Sequence, residues 1–165
     1  MANDFSFDIV SQVDLQAVDD AVNISMKEII NRFDLKGTNS TIELNRVEKT
    51  VILSASSEFH LKQIKNVLLS KMAKRGVSQK ALTVKTTETN ISGAVRETDN
   101  IVCGIEKELA KSIVKDIKAL NLKVQSAIQD EQIRVSSRDK DALQSVISFI
   151  KSKEYPVPLQ FINYR

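Results

Sequence analysis

The chain has 165 residues, 42% hydrophobic and 27% charged, with a net charge of +3. That balance fits a folded globular protein with one good core or two small ones, and it excludes disordered and collagen-like classes. No apolar run approaches the roughly eighteen residues of a membrane span, and the start "MANDFSFDIV" has neither a basic leader nor a long apolar block, so a cytoplasmic protein is expected.

In chain order, "FSFDIV" alternates apolar and polar residues as a strand does, and Val18, Val22, Ile29, Ile30 and Phe33 then recur at helical spacing. "STIELN" and "TVILSAS" are two strands joined by a turn at 46–49. Phe59, Leu61, Ile64, Val67, Leu68 and Met72 mark a second helix that stops near Gly76, and "KALTVKT" supplies a fourth strand. The same order then restarts. "VRETDNIV" is a weak strand, a helix runs from about Ile105 to Leu120, "KVQSAIQ" and "QIRVSS" are strands, a helix covers 139–151, and "LQFINYR" closes the chain.

The two halves align without gaps at an offset of 82 (143 − 61), which pairs Val51 with Ile133, Leu53 with Val135, Ser54 with Ser136 and Ile64 with Val146. Upstream the offset becomes 87, as in Ile30 with Ile117, so the first half carries five extra residues (87 − 82) around its central hairpin. The order predicts an α+β chain of two βαββαβ subdomains, each a four-stranded antiparallel sheet with two helices on one face. The halves are 1–90 and 91–165, each small enough that a shared interface is expected.

"SFDIVS" at 6–11, "RFDLKGT" at 32–38, "AKSIVKDIK" at 110–118, "KVQSAIQDEQIRVSSRDKDALQ" at 123–144 and the ending "PLQFINYR" closely resemble the YajQ family of small bacterial proteins. The resemblance implies two ferredoxin-like subdomains that exchange their first strands, about 4–11 and 95–102, in a cytoplasmic protein that binds nucleotides or nucleic acid. It also implies a cyclic di-GMP receptor acting on transcription through a partner protein, as some family members are. Leu35 departs from the pattern, since an aromatic residue is expected there.

Catalysis lacks its parts in this sequence. One histidine, His60, and one cysteine, Cys103, do not pair, zinc-ligand spacings are missing, and four glycines form neither a GxxxxGK[ST] loop nor a GxGxxG turn. No enzyme activity, metal or cofactor is expected. Cys103 reads as a small buried hydrophobe, His60 as a partly exposed helix residue, and Asp139 as the cap of the last helix.

The RNA-recognition module shares this fold but stacks bases on aromatics of its central strands, and "TVILSAS" and "QIRVSSR" contain none. Electrostatic attachment to RNA remains open through Lys71, Lys74 and Arg75, or through a stripe formed by Lys107, Lys111, Lys115 and Lys118 opposite the apolar side of the third helix. A solvated helix face explains the same stripe, and an interaction module serving a protein partner is a further reading.

A ligand site follows from alternation. If Ile133 and Val135 face the helices, Arg134 and Ser136 face away; with Val124 and Ile128 inward, Lys123, Gln125 and Gln129 share that outer face, and the exchanged first strand adds Asp8. Arg134 and Lys123 suit phosphate, Gln125 and Gln129 suit base or ribose, and Asp8 suits the N1 and N2 hydrogens of guanine. At the Arg134 position the first half has Ile52.

Overall fold

The structure, a computed structural model, describes residues 4–165. The elements run β1 (Phe5–Val10), α1 (Leu15–Asn31), β2 (Thr41–Asn45), β3 (Thr50–Ala55), α2 (Glu58–Lys74), β4 (Leu82–Thr89), β5 (Val95–Ile101), α3 (Lys107–Lys118), β6 (Gln125–Gln129), β7 (Gln132–Ser137), α4 (Lys140–Ser152) and β8 (Gln160–Ile162).

Local chemistry places the ends of the helices. Asp14, Ser57 and Asp139 each accept a hydrogen bond from a backbone N–H of the first turn of α1, α2 and α4, satisfying donors that have no partner inside the helix. Helix α2 ends where Gly76, at φ +79°, turns the chain. The Gly76 N–H reaches the Ala73 carbonyl and the Val77 N–H reaches the Met72 carbonyl, a Schellman closure that buries Val77.

The chain divides into two compact units, one of residues 13–102 and one of residues up to 12 joined by 103–165. In the 13–102 unit the antiparallel sheet has the order β2-β3-β5-β4. In the other it is β6-β7-β1-β8. Each is the ferredoxin-like order with the first strand supplied by the opposite half of the sequence: β5 pairs with β3 and β4, and β1 pairs with β7 and β8. The fold is therefore the pair of α+β subdomains that the element order predicts, with the first strands exchanged as the family resemblance implies.

The repeat register holds in three dimensions. Val51 and Leu53 are buried, as are Ile133 and Val135, and Ile64 on the buried side of α2 matches Val146 on that of α4. The five extra residues divide into three in the segment before the hairpin (32–40 against 119–124) and two in its turn (46–49 against 130–131).

Three expectations need correction. Helix α1 stops at Asn31, so Phe33 falls beyond its end and is 97% exposed, and Ile30 points to solvent on the last turn. Ile128 faces the same side as its cross-strand partner Ile133 but stays 38% exposed, because β6 is the edge strand. Cys103 is exposed in the connection between β5 and α3. Leu35 is buried in the core of the 13–102 unit, so the side chain there fills the core.

Candidate functional site

The predicted polar face exists on the β6-β7-β1-β8 sheet. Alternation along β7 buries Ile133 and Val135 against α3 and α4 and turns Arg134 and Ser136 outward. Registration sets Asp8 directly opposite Arg134 on one side and Ala127 opposite on the other, while Gln125 lies opposite Ser136 and Gln129 opposite Gln132. Strand pairing thus assembles side chains from positions more than a hundred residues apart.

Asp8 and Arg134 form a two-point pair, with Nε donating to Oδ1 at 2.9 Å and Nη2 to Oδ2 at 3.3 Å. Asn163 Nδ2 donates to the same Oδ2 at 2.8 Å. Asn163 reaches it because its backbone is left-handed (φ +58°). There the last strand bulges, pairing Ile162 with Asp8 and then Arg165 with Ser6. Asp8 is 1% exposed. The Arg134 hydrogen bond, aided by Asn163 and opposed by burial, holds the Asp8 carboxyl below the usual carboxylate range. In return the carboxylate raises Arg134 and fixes the guanidinium.

Arg134 lines an open groove of about 660 Å³ that wraps the β6 edge and includes Gln125, Gln129 and Ser136 together with Lys118 and Asn121 from the end of α3. A neighbouring groove of about 570 Å³ is lined by Lys123, Gln125, Ser136 and Arg138. Ser137 ties the two elements that border it: its hydroxyl donates to the Lys123 carbonyl at 2.6 Å and accepts from the Asp139 N–H at 3.0 Å at the mouth of α4.

Of the predicted residues, Gln125, Gln129 and Arg134 come together in one groove, Lys123 stands in the adjacent one beside Gln125, and Asp8 lies beneath Arg134 and lines neither. Lys118, predicted as part of a stripe for nucleic-acid phosphate, sits at the rim of the Arg134 groove. Asn163 and Asn121 escaped the sequence reading. Asn121 has a positive φ after α3, a signal that asparagine in a helix-terminating "LNL" can carry, while nothing in "FINYR" points to Asn163.

The predicted lysine clusters fare differently. Lys71 pairs with Glu28 at 3.1 Å and Arg75 with Asp20 at 3.8 Å, both acids lying on α1, so that cluster is largely neutralised and Lys74 alone has no partner among the described residues. On α3, Lys107, Lys111, Lys115 and Lys118 are all exposed and make no ion pair with a described residue.

The 13–102 unit holds a charged cluster of another kind. Glu97 and Asp99 occupy core-facing positions of β5, where Lys65 from α2 reaches them at 2.8 and 3.2 Å. Neither Asp99 oxygen accepts a hydrogen bond from a described residue. Burial, with the adjacent Glu97, pushes the Asp99 carboxyl up to about 6 despite Lys65. Burial also works against the Lys65 charge, but the Glu97 hydrogen bond and both carboxylates raise its pKa overall. Among the described residues no three His, Cys, Asp or Glu side chains gather as metal ligands would, and no helix is long and apolar enough to cross a membrane.

A family model described as "Nucleotide-binding protein YajQ-like" matches residues 5–165. Curated relatives match end to end, covering 100% of both chains: one from Carboxydothermus hydrogenoformans is 47% identical, one from Alkaliphilus oremlandii 46% and one from Chloroherpeton thalassium 44%. Each bears the name nucleotide-binding protein.

Proposed function

This chain belongs to the family of YajQ-like nucleotide-binding proteins, and from that premise we propose that it is a non-enzymatic nucleotide binder whose site is the Arg134 groove. The carrying observation is the convergence of Arg134, Lys118, Gln125 and Gln129 on one open groove. Arginine offers a planar fork to phosphate oxygens, lysine adds a mobile point charge, and amide side chains both donate and accept toward base or ribose. Lys123, on the adjoining groove, supplies a second phosphate contact. Asp8 acts in this reading as a positioning residue: its oxygens are engaged by Arg134 and Asn163, so it orients the guanidinium and leaves the base to other groups.

The ligand favoured here is a guanine nucleotide, cyclic di-GMP included, with the bound state read by a transcription regulator. This finer claim is supported by the family resemblance and by the arginine, which can reach guanine O6 and N7 as well as phosphate. Titration calorimetry with GTP, ATP and cyclic di-GMP tests it. Arg134→Ala is expected to weaken the preferred nucleotide about tenfold while circular dichroism stays unchanged, the usual scale for losing a bidentate contact. An unchanged affinity in a folded variant removes the groove as the site.

A second reading is supported by the unpaired lysines of α3. Weak RNA binding through Lys107, Lys111, Lys115 and Lys118 predicts an affinity that falls steeply with salt, whereas a flat response eliminates it.

A further inference from the structure

We infer that the 13–102 unit carries a second ligand site, in which Arg96 and Glu88 together read the edge of a guanine base. Arg96 on β5 and Glu88 on β4 are register partners. The residues flanking Arg96, Val95 and Glu97, are buried toward the helices, so Arg96 and its register partner Glu88 stand on the open face of the sheet. Residues directly opposite across two strands have Cβ atoms roughly 5 Å apart, and opposite charges in that position ordinarily meet. Here neither makes a hydrogen bond or an ion pair with any described residue. Both instead line a groove of about 640 Å³ together with Asn39, Ser54, Asn90 and Ser92.

The groove also occupies a telling place in the repeat. Ser54, Ala55 and Ser56 correspond to Ser136, Ser137 and Arg138 at the offset of 82 (136 − 54), and these three line the groove of Lys123 that adjoins the Arg134 groove. Thr41 faces Ser54 as Gln125 faces Ser136. The two units thus open a groove at the same end of equivalent sheets, with different chemistry in each.

That chemistry selects the ligand class. A guanidinium only donates and a carboxylate only accepts, so the pair matches a planar group that shows acceptors beside donors. Guanine does so, with O6 and N7 for Arg96 and the N1 and N2 hydrogens for Glu88. Adenine has no carbonyl and presents an unprotonated N1 to the carboxylate. Arg96 is the only cation of the lining and Glu88 its only anion, and the remaining groups are amides, hydroxyls and apolar atoms. The site therefore holds the base end of the ligand and needs no phosphate, unlike the groove of Arg134 and Lys118. It rests on the nucleotide reading only for the class of ligand.

The test is a titration of the isotope-labelled full chain, followed by NMR, with guanosine, adenosine and GMP. Guanosine is expected to shift Arg96 Nε and the backbone of 88–96, more strongly than adenosine, and to do so equally in Arg134→Ala. Glu88→Gln, on an exposed side chain, is expected to weaken guanosine about tenfold and to erase the preference over adenosine, the scale of one lost base contact. Shifts confined to 118–136 with GMP and none with guanosine overturn the second site while leaving the first intact. Shifts at 88–96 with none at 118–136 do the reverse. Guanosine binding at 88–96 that is indifferent to Glu88→Gln, or no stronger than adenosine binding, also overturns the assignment.

Discussion

The two sheets share one backbone plan and distribute charge in opposite layers. At the offset of 82, the core positions filled by Phe7, Ile9 and Ile147 in one unit hold Glu97, Asp99 and Lys65 in the other, as the pairings Phe7 with Val135 and Glu97 with Leu53 establish. On the open face the relation inverts: Asp8 and Arg134 correspond to Thr98 and Ile52. One unit buries an apolar trio beneath α4 and exposes half an ion pair. The other buries two acids that a half-buried lysine of α2 reaches, and keeps its open face less charged there. Three of these five differences lie on the exchanged first strand, which thus brings much of its chemistry to the unit it enters.

The largest effect should come from breaking the ionic trio. Lys65→Met leaves two carboxylates in the core beside Val51 and Leu53 without their cation, and is expected to cost about 3–5 kcal/mol of stability in urea unfolding. Transplanting the other unit's solution, Lys65→Ile with Glu97→Phe and Asp99→Ile, should recover that loss and add up to about 1–4 kcal/mol, since well-packed apolar groups in place of a buried ionic group are often neutral or stabilising by that amount. A triple variant less stable than Lys65→Met would show that the two units do not share an interchangeable core.

Acid should separate the units next. The folded-state pKa of Asp99 is raised to about 6, above its ordinary value of 3.8, so its proton favours the fold. The stabilisation is complete below pH 4 and is lost as pH rises through 6, on the order of 2–3 kcal/mol. Asp8 has the opposite sign. Its pKa is lowered, so its contribution is present above the ordinary value and disappears as pH falls below it. Hydrogen exchange resolved by residue should find amides of β3 and β5 gaining protection from pH 7 to 5, and those of β1 and β7 losing it only in stronger acid. Asp99→Asn should abolish the first trend and spare the second.

Much of this was legible in the sequence. Alternation and helical spacing gave β1 to β8 and α1 to α4, and the offset of 82 carried the repeat, because both rest on periods that the backbone imposes. What escaped was depth. Alternation names a face but not how well it is covered, so Ile128 reads as core although it lies on an edge strand. The spacing that ended on Phe33 ran past the point where the chain leaves α1. The weak strand "VRETDNIV" was weak because acids occupy its inward positions, an inversion that periodicity reports only as noise. At the site, the shared face of Arg134, Gln125 and Gln129 followed from strand parity. The mutual engagement of Asp8 and Arg134, the reach of Asn163 and the arrival of Lys118 from α3 depend on a bulge and a helix end that no period encodes.

The smallest effect concerns the open faces. Ile52→Arg with Thr98→Asp copies the Asp8–Arg134 pair onto the 13–102 sheet, at positions that are register partners. The copy should couple by less than about 1 kcal/mol in a double-mutant cycle, the range of exposed ion pairs. The native pair has two supports that the copy lacks. Asp8 is closed off from water, and Asn163 donates to its second oxygen, whereas the β4 residue opposite Thr98 is Thr86, whose hydroxyl has a shorter reach than an asparagine amide. A strong coupling would mean that strand register alone builds the pair. A weak one would place its strength in the C-terminal bulge, and Asn163→Ala in the native unit should then loosen Arg134 and weaken nucleotide binding while both partners of the ion pair remain.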